Sequence, residues 1–215
     1  MKFDQHFLIN EELAEEIVSY LKIKPNESVL EIGPGKGILT KFLQKATLVE
    51  LDNNLCEELK KKFPKHKIIN KNILKIKLNY DKIIGNIPYS ISEPLINKLL
   101  KSDFKLVVLT VPEKFLTKGL LSLIIPDLLE IKTLKVIDKK EFSPKPKVNS
   151  KVISIKKKSL NKQQKIIKKI YMQSDKKLKN IINTDLEFKN KRIRELNLNE
   201  WKVLMNDIKR TAING

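Results

Sequence analysis

Ser28–Gly37 reads SVLEIGPGKG, and the fold of the chain follows from this stretch. An apolar run ends at Ile32. Gly33, Gly35 and Gly37 then alternate with other residues before a helix expected near Leu39–Lys45. Glycines let the backbone turn tightly and let a ligand approach the main chain with no Cβ in the way. In a Rossmann-like sheet the end of the first strand is where a nucleoside-containing ligand sits. Taken alone the triplet is weak, because a tight turn has the same composition.

The same alternation continues outward. Further strands are expected at Thr47–Leu51, Lys67–Asn70, Lys82–Gly85 and Leu106–Thr110, with helices at Asn54–Phe63 and Glu93–Lys101. On the amino-terminal side Leu13, Ile17 and Leu21 fall at helical spacing within residues 11–22. Strands alternating with helices imply a mostly parallel, doubly wound α/β sheet covered on both faces. Leu134–Asp138 and Lys151–Lys156 are candidates for the antiparallel edge that mixed sheets often carry. From Lys156 onward the chain has 17 Lys/Arg against 6 Asp/Glu, no proline, and no glycine before the last residue. The expected organisation is therefore a ligand-binding α/β domain over 1–157 and a small basic helical domain over 158–215.

Charge and composition narrow the class. Of 215 residues, 44 are Lys or Arg and 25 are Asp or Glu, a net charge of +19. Such a field attracts polyanions, most commonly nucleic acid, although a solvated lysine-rich surface accounts for the charge equally simply. Cys56 is the only cysteine, which excludes an intrachain disulfide and a cysteine-based zinc site. His6 and His66 are far apart, so no metal is expected. No apolar run approaches the roughly 20 residues that span a bilayer, and MKFDQHFLIN lacks a signal-peptide core. A soluble, cytoplasmic monomer with no membrane partner is expected.

Two positions add chemistry to the glycine turn. Glu50 falls at the expected end of the second strand, where a carboxylate accepts hydrogen bonds from ribose hydroxyls. A surface carboxylate is the plainer account. Asn72, after the third strand, is placed to pair with an adenine, or is simply a turn asparagine. The GxGxG spacing with Glu31 before it suits S-adenosylmethionine better than a dinucleotide, since there is no pyrophosphate to cradle. The fourth strand then runs into Asn86-Ile87-Pro88-Tyr89. Methylating an exocyclic amine requires its delocalised lone pair to be localised. Acceptors for both amine hydrogens do that, and the Asn86 oxygen and a backbone carbonyl near Ile87 are suited to it. Pro88 stiffens the turn, and Tyr89 offers a ring for the base to stack on. An ordinary Asn-x-Pro turn is the alternative.

These strings resemble the KsgA-type rRNA adenine N6,N6-dimethyltransferases. QHFL at Gln5–Leu8, VLEIGPGKGILT at Val29–Thr40, VELD at Val49–Asp52, GNIPYSIS at Gly85–Ser92 and FSPKPKVNS at Phe142–Ser150 follow in family order. The resemblance implies a Rossmann-like class I methyltransferase sheet with a small helical C-terminal domain, using S-adenosylmethionine and no metal. It implies that His6 and Leu8 close over the cofactor, and that Gly33, Glu50, Asn72 and Asn86 contact it. Asn86, Pro88 and Tyr89 would be catalytic, and Phe142 a second wall for the base, unless it is a core phenylalanine. The implied partner is small-subunit rRNA in an assembling subunit, where two adjacent adenines of a 3′-terminal hairpin loop are each dimethylated.

The sequence departs from the pattern in places. Asn72 replaces the usual aspartate, Val111-Pro112-Glu113 replaces Gln-Lys-Glu, and Leu120–Leu121 lacks an arginine. DKKLKNII at Asp175–Ile182 resembles the family's basic helix, so Lys176, Lys177 and Arg192 are candidate phosphate contacts. An Erm-type large-subunit enzyme shares the Asn-x-Pro-Tyr string. A non-catalytic assembly or transcription factor on this fold is the other alternative.

Overall fold

The computed structural model describes residues 6–211. In chain order it contains β1 (Phe7–Leu8), α1 (Glu11–Ser19), β2 (Val29–Ile32), β3 (Thr47–Glu50), α2 (Asn53–Lys62), β4 (Lys67–Asn70) and β5 (Lys82–Asn86). These are followed by α3 (Ser92–Leu99), β6 (Leu106–Pro112), α4 (Gly119–Leu128), β7 (Leu129–Ile137), β8 (Phe142–Ser143), β9 (Ser150–Lys157), α5 (Lys162–Tyr171) and α6 (Leu198–Thr211).

Seven strands form one sheet in the order β4-β3-β2-β5-β6-β9-β7. The five from β4 to β6 are parallel, and β9 runs antiparallel to β6, with Val107 opposite Ile155. The central position of β2 explains its sequence. All four residues of VLEI are buried, as in a parallel strand covered on both faces. Gly85 lets β5 lie close beside β2, because a Cβ there would stand 2.6 Å from the Ile32 carbonyl oxygen. Side-chain caps start the flanking helices. Asn10 accepts from the Leu13 amide at the head of α1, and Asp52 accepts from Asn54 and Leu55 at the head of α2.

Two elements differ from expectation. The helix expected over Leu39–Lys45 is only a 3₁₀ turn, Thr40–Phe42. Gly33, Gly35 and Gly37 all have positive φ (61°, 56° and 82°), so no right-handed helix begins before Ile38. The two late strands do form one edge of the sheet as expected, with β9 between β6 and the outermost β7. α4 is a buried helix where none is expected, with Leu121, Ile124, Ile125 and Leu128 covered.

The chain divides into two compact units, and the division is not a single cut after residue 157. Residues up to Phe115 join Glu130–Lys157, while Leu116–Leu129 joins Lys158 onward. α4 belongs to the second unit because its apolar face packs on α5 and α6. Within that unit Lys158 Nζ donates to the Pro126 carbonyl and Lys209 pairs with Asp127. Trp201 is fully buried, edge-on to Tyr171. Among the described residues no helix is long and apolar enough to cross a membrane.

Candidate active site

The carboxyl ends of β2, β3 and β5 open into one cleft of about 530 Å³, mouth included. Gly33 and Gly35 form its floor, Glu50 one side, and Asn86, Ile87 and Pro88 the other. Phe7, His6, Phe142 and Ser150 complete the wall. No lysine or arginine is among these lining residues, in a chain that carries 44 of them.

Glu50 is almost entirely buried, and backbone amides fix its carboxylate. One oxygen accepts from Leu51 and Asp52 at 2.7 and 3.0 Å, the other from Gly35 at 3.1 Å. Behind it the Asn70 side-chain amide donates to the Glu50 and Leu51 carbonyls and contacts the buried Cys56 Sγ at 3.3 Å. Beneath the glycine turn, Glu31 is buried and accepts from the Thr40 hydroxyl at 2.7 Å. Burial pushes its carboxyl up to about 8; the Thr40 hydrogen bond opposes this and the charge of Glu50 adds to it. Glu31 is therefore tied to Thr40 and is not among the residues lining the cleft.

Asn86 ends β5, and its side-chain nitrogen donates to the His6 carbonyl at 2.8 Å. This commits the nitrogen and leaves Oδ1 as the group's acceptor. The next residue is pinned to β6 through Ile87 N–H donating to the Thr110 carbonyl. The Pro88 carbonyl is used internally, by the Ile91 amide and the Ser92 hydroxyl, whereas no described hydrogen bond uses the Ile87 carbonyl. The turn thus leaves two acceptors, Asn86 Oδ1 and Ile87 O, outside the described hydrogen bonds.

The strap over the cleft is β1, which pairs antiparallel with β8, Phe7 opposite Ser143 and Leu8 opposite Phe142. His6 Nδ1 lies 2.7 Å from the Pro144 carbonyl. Neighbouring strand residues face opposite ways. Leu8 accordingly enters the hydrophobic core, while Phe7 lies over the glycine turn, so close that a Cβ on Gly35 would be 2.8 Å from its ring. The Lys36 ammonium sits 5.3 Å from the centroid of the same ring.

The cleft therefore brings together His6, Gly33, Glu50, Asn86, Pro88 and Phe142. Leu8 is not on its wall. Neither is Asn72, whose oxygen instead caps a 3₁₀ turn by accepting from the Leu74 amide at 2.9 Å. Tyr89 opens a 3₁₀ turn, Tyr89–Ile91, and its side chain lies outside the described residues, as does Gln5. Phe142 is both core and wall, only 4% exposed yet bordering the cleft. Lys176 and Lys177 are exposed in the second unit. There Arg192 is partly committed, its guanidinium donating to the Asp175 carbonyl at 3.3 Å and lying 4.0 Å from Glu195. Sequence reasoning missed Phe7 and Ser150. Alternation within QHFL was the available signal for Phe7; none existed for Ser150.

A glycine turn, a strand-end glutamate and an Asn-x-Pro turn at one end of a mostly parallel sheet belong to the Rossmann-like methyltransferase fold class. Similar solved folds include a dimethyladenosine transferase from Plasmodium falciparum (TM-score 0.68, 22% identity, 96% of this chain and 98% of that one). The 23S rRNA methyltransferase ErmE is another (TM-score 0.68, 18% identity, covering 94% and 99%). The family model described as Ribosomal RNA adenine dimethylase matches residues 1–208, and the chain belongs to that family. It is 40% identical over 178 residues to the Ribosomal RNA small subunit methyltransferase A of Malacoplasma penetrans, covering 73% of this chain. The match spans 65% of that relative, just under two thirds of its length. The protein of the same name from Borreliella burgdorferi is 34% identical over 205 residues, 83% of this chain and 73% of that one.

Proposed function

We propose that this protein transfers methyl groups from S-adenosylmethionine to the N6 amine of adenine in small-subunit rRNA, producing dimethyladenosine during ribosome assembly. The observation that carries this reading is that Asn86 and Ile87, each with an acceptor outside the described hydrogen bonds, line the same cleft as the glycine turn and Glu50. The names of the most similar relatives favour the small subunit over the large one. The substrate is a pair of adjacent adenines in a 3′-terminal hairpin loop, and the enzyme acts as a cytoplasmic monomer.

The cleft suits this cofactor. Space stands open above Gly33, where the nearest atom to a built Cβ is the Asn86 carbonyl oxygen at 4.0 Å. The anchored Glu50 carboxylate has the chemistry to accept from ribose hydroxyls. A wall free of lysine and arginine admits a cation and offers a pyrophosphate nothing to pair with. S-adenosylmethionine supplies an electrophilic methyl as a sulfonium. The residues position the partner amine. Asn86 and Ile87 accept its two hydrogens and turn the lone pair out of conjugation, while Pro88 and the Ile87–Thr110 bond keep the acceptors still. Phe142, which borders the cleft, offers its ring to an unstacked base. No strong base is required, because the proton leaves after transfer. Holding the reactants in line accounts for roughly 7–11 kcal/mol of the barrier.

The test is methyl transfer from labelled S-adenosylmethionine to unmethylated small subunits, with nucleoside analysis of the product. Dimethyladenosine made by the wild type and lost in Asn86→Ala supports the reading. Incorporation into large-subunit rRNA instead overturns the substrate assignment, and cofactor binding without transfer to any rRNA overturns the reaction.

A further inference from the structure

At the opposite ends of the same strands the first unit carries a second recess. Its walls come from the loop after α1 (Lys22–Ser28), the start of β3 at Thr47, the Phe42–Lys45 segment and Tyr80. β2 and β3 are four residues long, so the recess and the cleft are separated by roughly 13 Å of sheet at about 3.3 Å per residue. Nothing in the methyl-transfer chemistry uses it.

Its chemistry is specific. Lys22, Lys24 and Lys45 are exposed on its rim and form no ion pair among the described residues. The one acidic residue lining it, Glu27, is already engaged by Lys82 and Lys105 at 3.5 and 3.3 Å. Tyr80 lines the same recess and is half-buried, while Phe42 packs against the core with the Lys41 ammonium 5.9 Å from its ring centroid. On the rim Lys22 and Asn26 have left-handed backbone, φ 47° and 65°, which is ordinary for asparagine and uncommon for lysine. Free cations beside accessible aromatic rings are the elements that bind single-stranded nucleic acid, phosphates on the former and bases on the latter. Exposed lysines without carboxylate partners complement a polyanion and do not complement an acidic-poor protein face.

We propose that this recess is a second RNA-binding site, which holds an unpaired segment of the substrate rRNA remote from the adenine being methylated. Lys22, Lys24 and Lys45 contact phosphates and Tyr80 stacks on a base. The site rests on the rRNA reading above. It implies that recognition of the whole particle is divided between two ends of one sheet, with the target loop at the carboxyl ends and a distal strand at the amino ends.

The experiment compares the full chain with a Lys22→Gln/Lys24→Gln/Lys45→Gln variant and with Tyr80→Leu. Binding is measured against salt on three RNAs: a short target hairpin, naked small-subunit rRNA and the small subunit. Each lost phosphate contact removes about 0.7–0.9 from the slope of log affinity against log salt, so the triple variant loses about 2 to 3 on the long RNAs. Tyr80→Leu weakens the same complexes about tenfold. Hairpin binding and cofactor binding stay at wild-type values, which also reports an intact fold. Unchanged slopes on all three RNAs overturn the proposal. A loss confined to the subunit, with naked rRNA unaffected, also overturns it and assigns the recess to a ribosomal protein. Because these are binding measurements, they remain decisive if the wild type methylates nothing, a result that would count against the function alone.

Discussion

Asn86 commits its amide nitrogen to the strap through the His6 carbonyl, and in the reading above its oxygen serves the substrate amine. Asn86→Ala removes both and is expected to lower the methyl-transfer rate by about 10²–10³-fold, the scale of losing one preorganised polar group in a buried site. Asn86→Asp keeps an acceptor but cannot donate to His6. It should therefore raise KM for S-adenosylmethionine more than it lowers kcat, and steady-state kinetics on the two variants separates the roles. Glu31 makes a prediction about stability. Its carboxyl titrates at an ordinary 4.5 in the unfolded chain and at about 8 when folded. Between those values the folded state holds the extra proton, so stability falls as pH rises through that window. Glu31→Gln keeps a polar partner for Thr40 without the titration. The wild type should lose up to about 4 kcal/mol relative to this variant between pH 5 and 8, measured by urea unfolding at each pH.

The glycine turn and the strap form one element pair, since Phe7 occupies the space a side chain on Gly35 would need. Gly35→Ala should cost about 1–2 kcal/mol for its left-handed backbone alone, with a further loss from the clash. Adding Phe7→Ala should restore the clash component and leave the backbone cost, so a double-mutant cycle read by thermal unfolding gives a non-additive result. The sequence made the parallel strands legible because their apolar runs are short and bounded by turn residues. It made Glu50 and Asn86 legible because both fall at strand ends. The missing helix after Gly37 was hidden because Leu39–Lys45 has helical composition, while three positive-φ glycines dictate the start. α4 was hidden for the opposite reason: GLLSLIIPDL is apolar on every face, so it carries no period, and Pro126 argues against a helix. Phe7 rather than Leu8 borders the cleft because neighbouring residues of the strand face opposite ways and Leu8 is the one that enters the core.

For the molecule as a whole, the second unit begins inside the first one's sequence. A chain cut after Lys157 keeps α4 but loses α5 and α6, the helices on which its apolar face packs. Such a truncation should bind hydrophobic dyes and aggregate, whereas one that also replaces residues 116–129 with a short polar linker should stay monodisperse on gel filtration. Net charge acts at the same scale. With +19 on 215 residues, association with any rRNA should weaken steeply as salt rises, apart from the site-specific differences described above. The position of β9 has a consequence for synthesis on the ribosome. β7 is translated before β9, yet in the sheet it lies outside β9 and reaches β6 only through it. The nascent chain therefore carries an unpaired strand for as long as residues 138–157 take to emerge. In that interval β6 is an open edge and β7 an unpaired strand, so a chaperone that keeps the two apart acts before β9 emerges and takes its place between them.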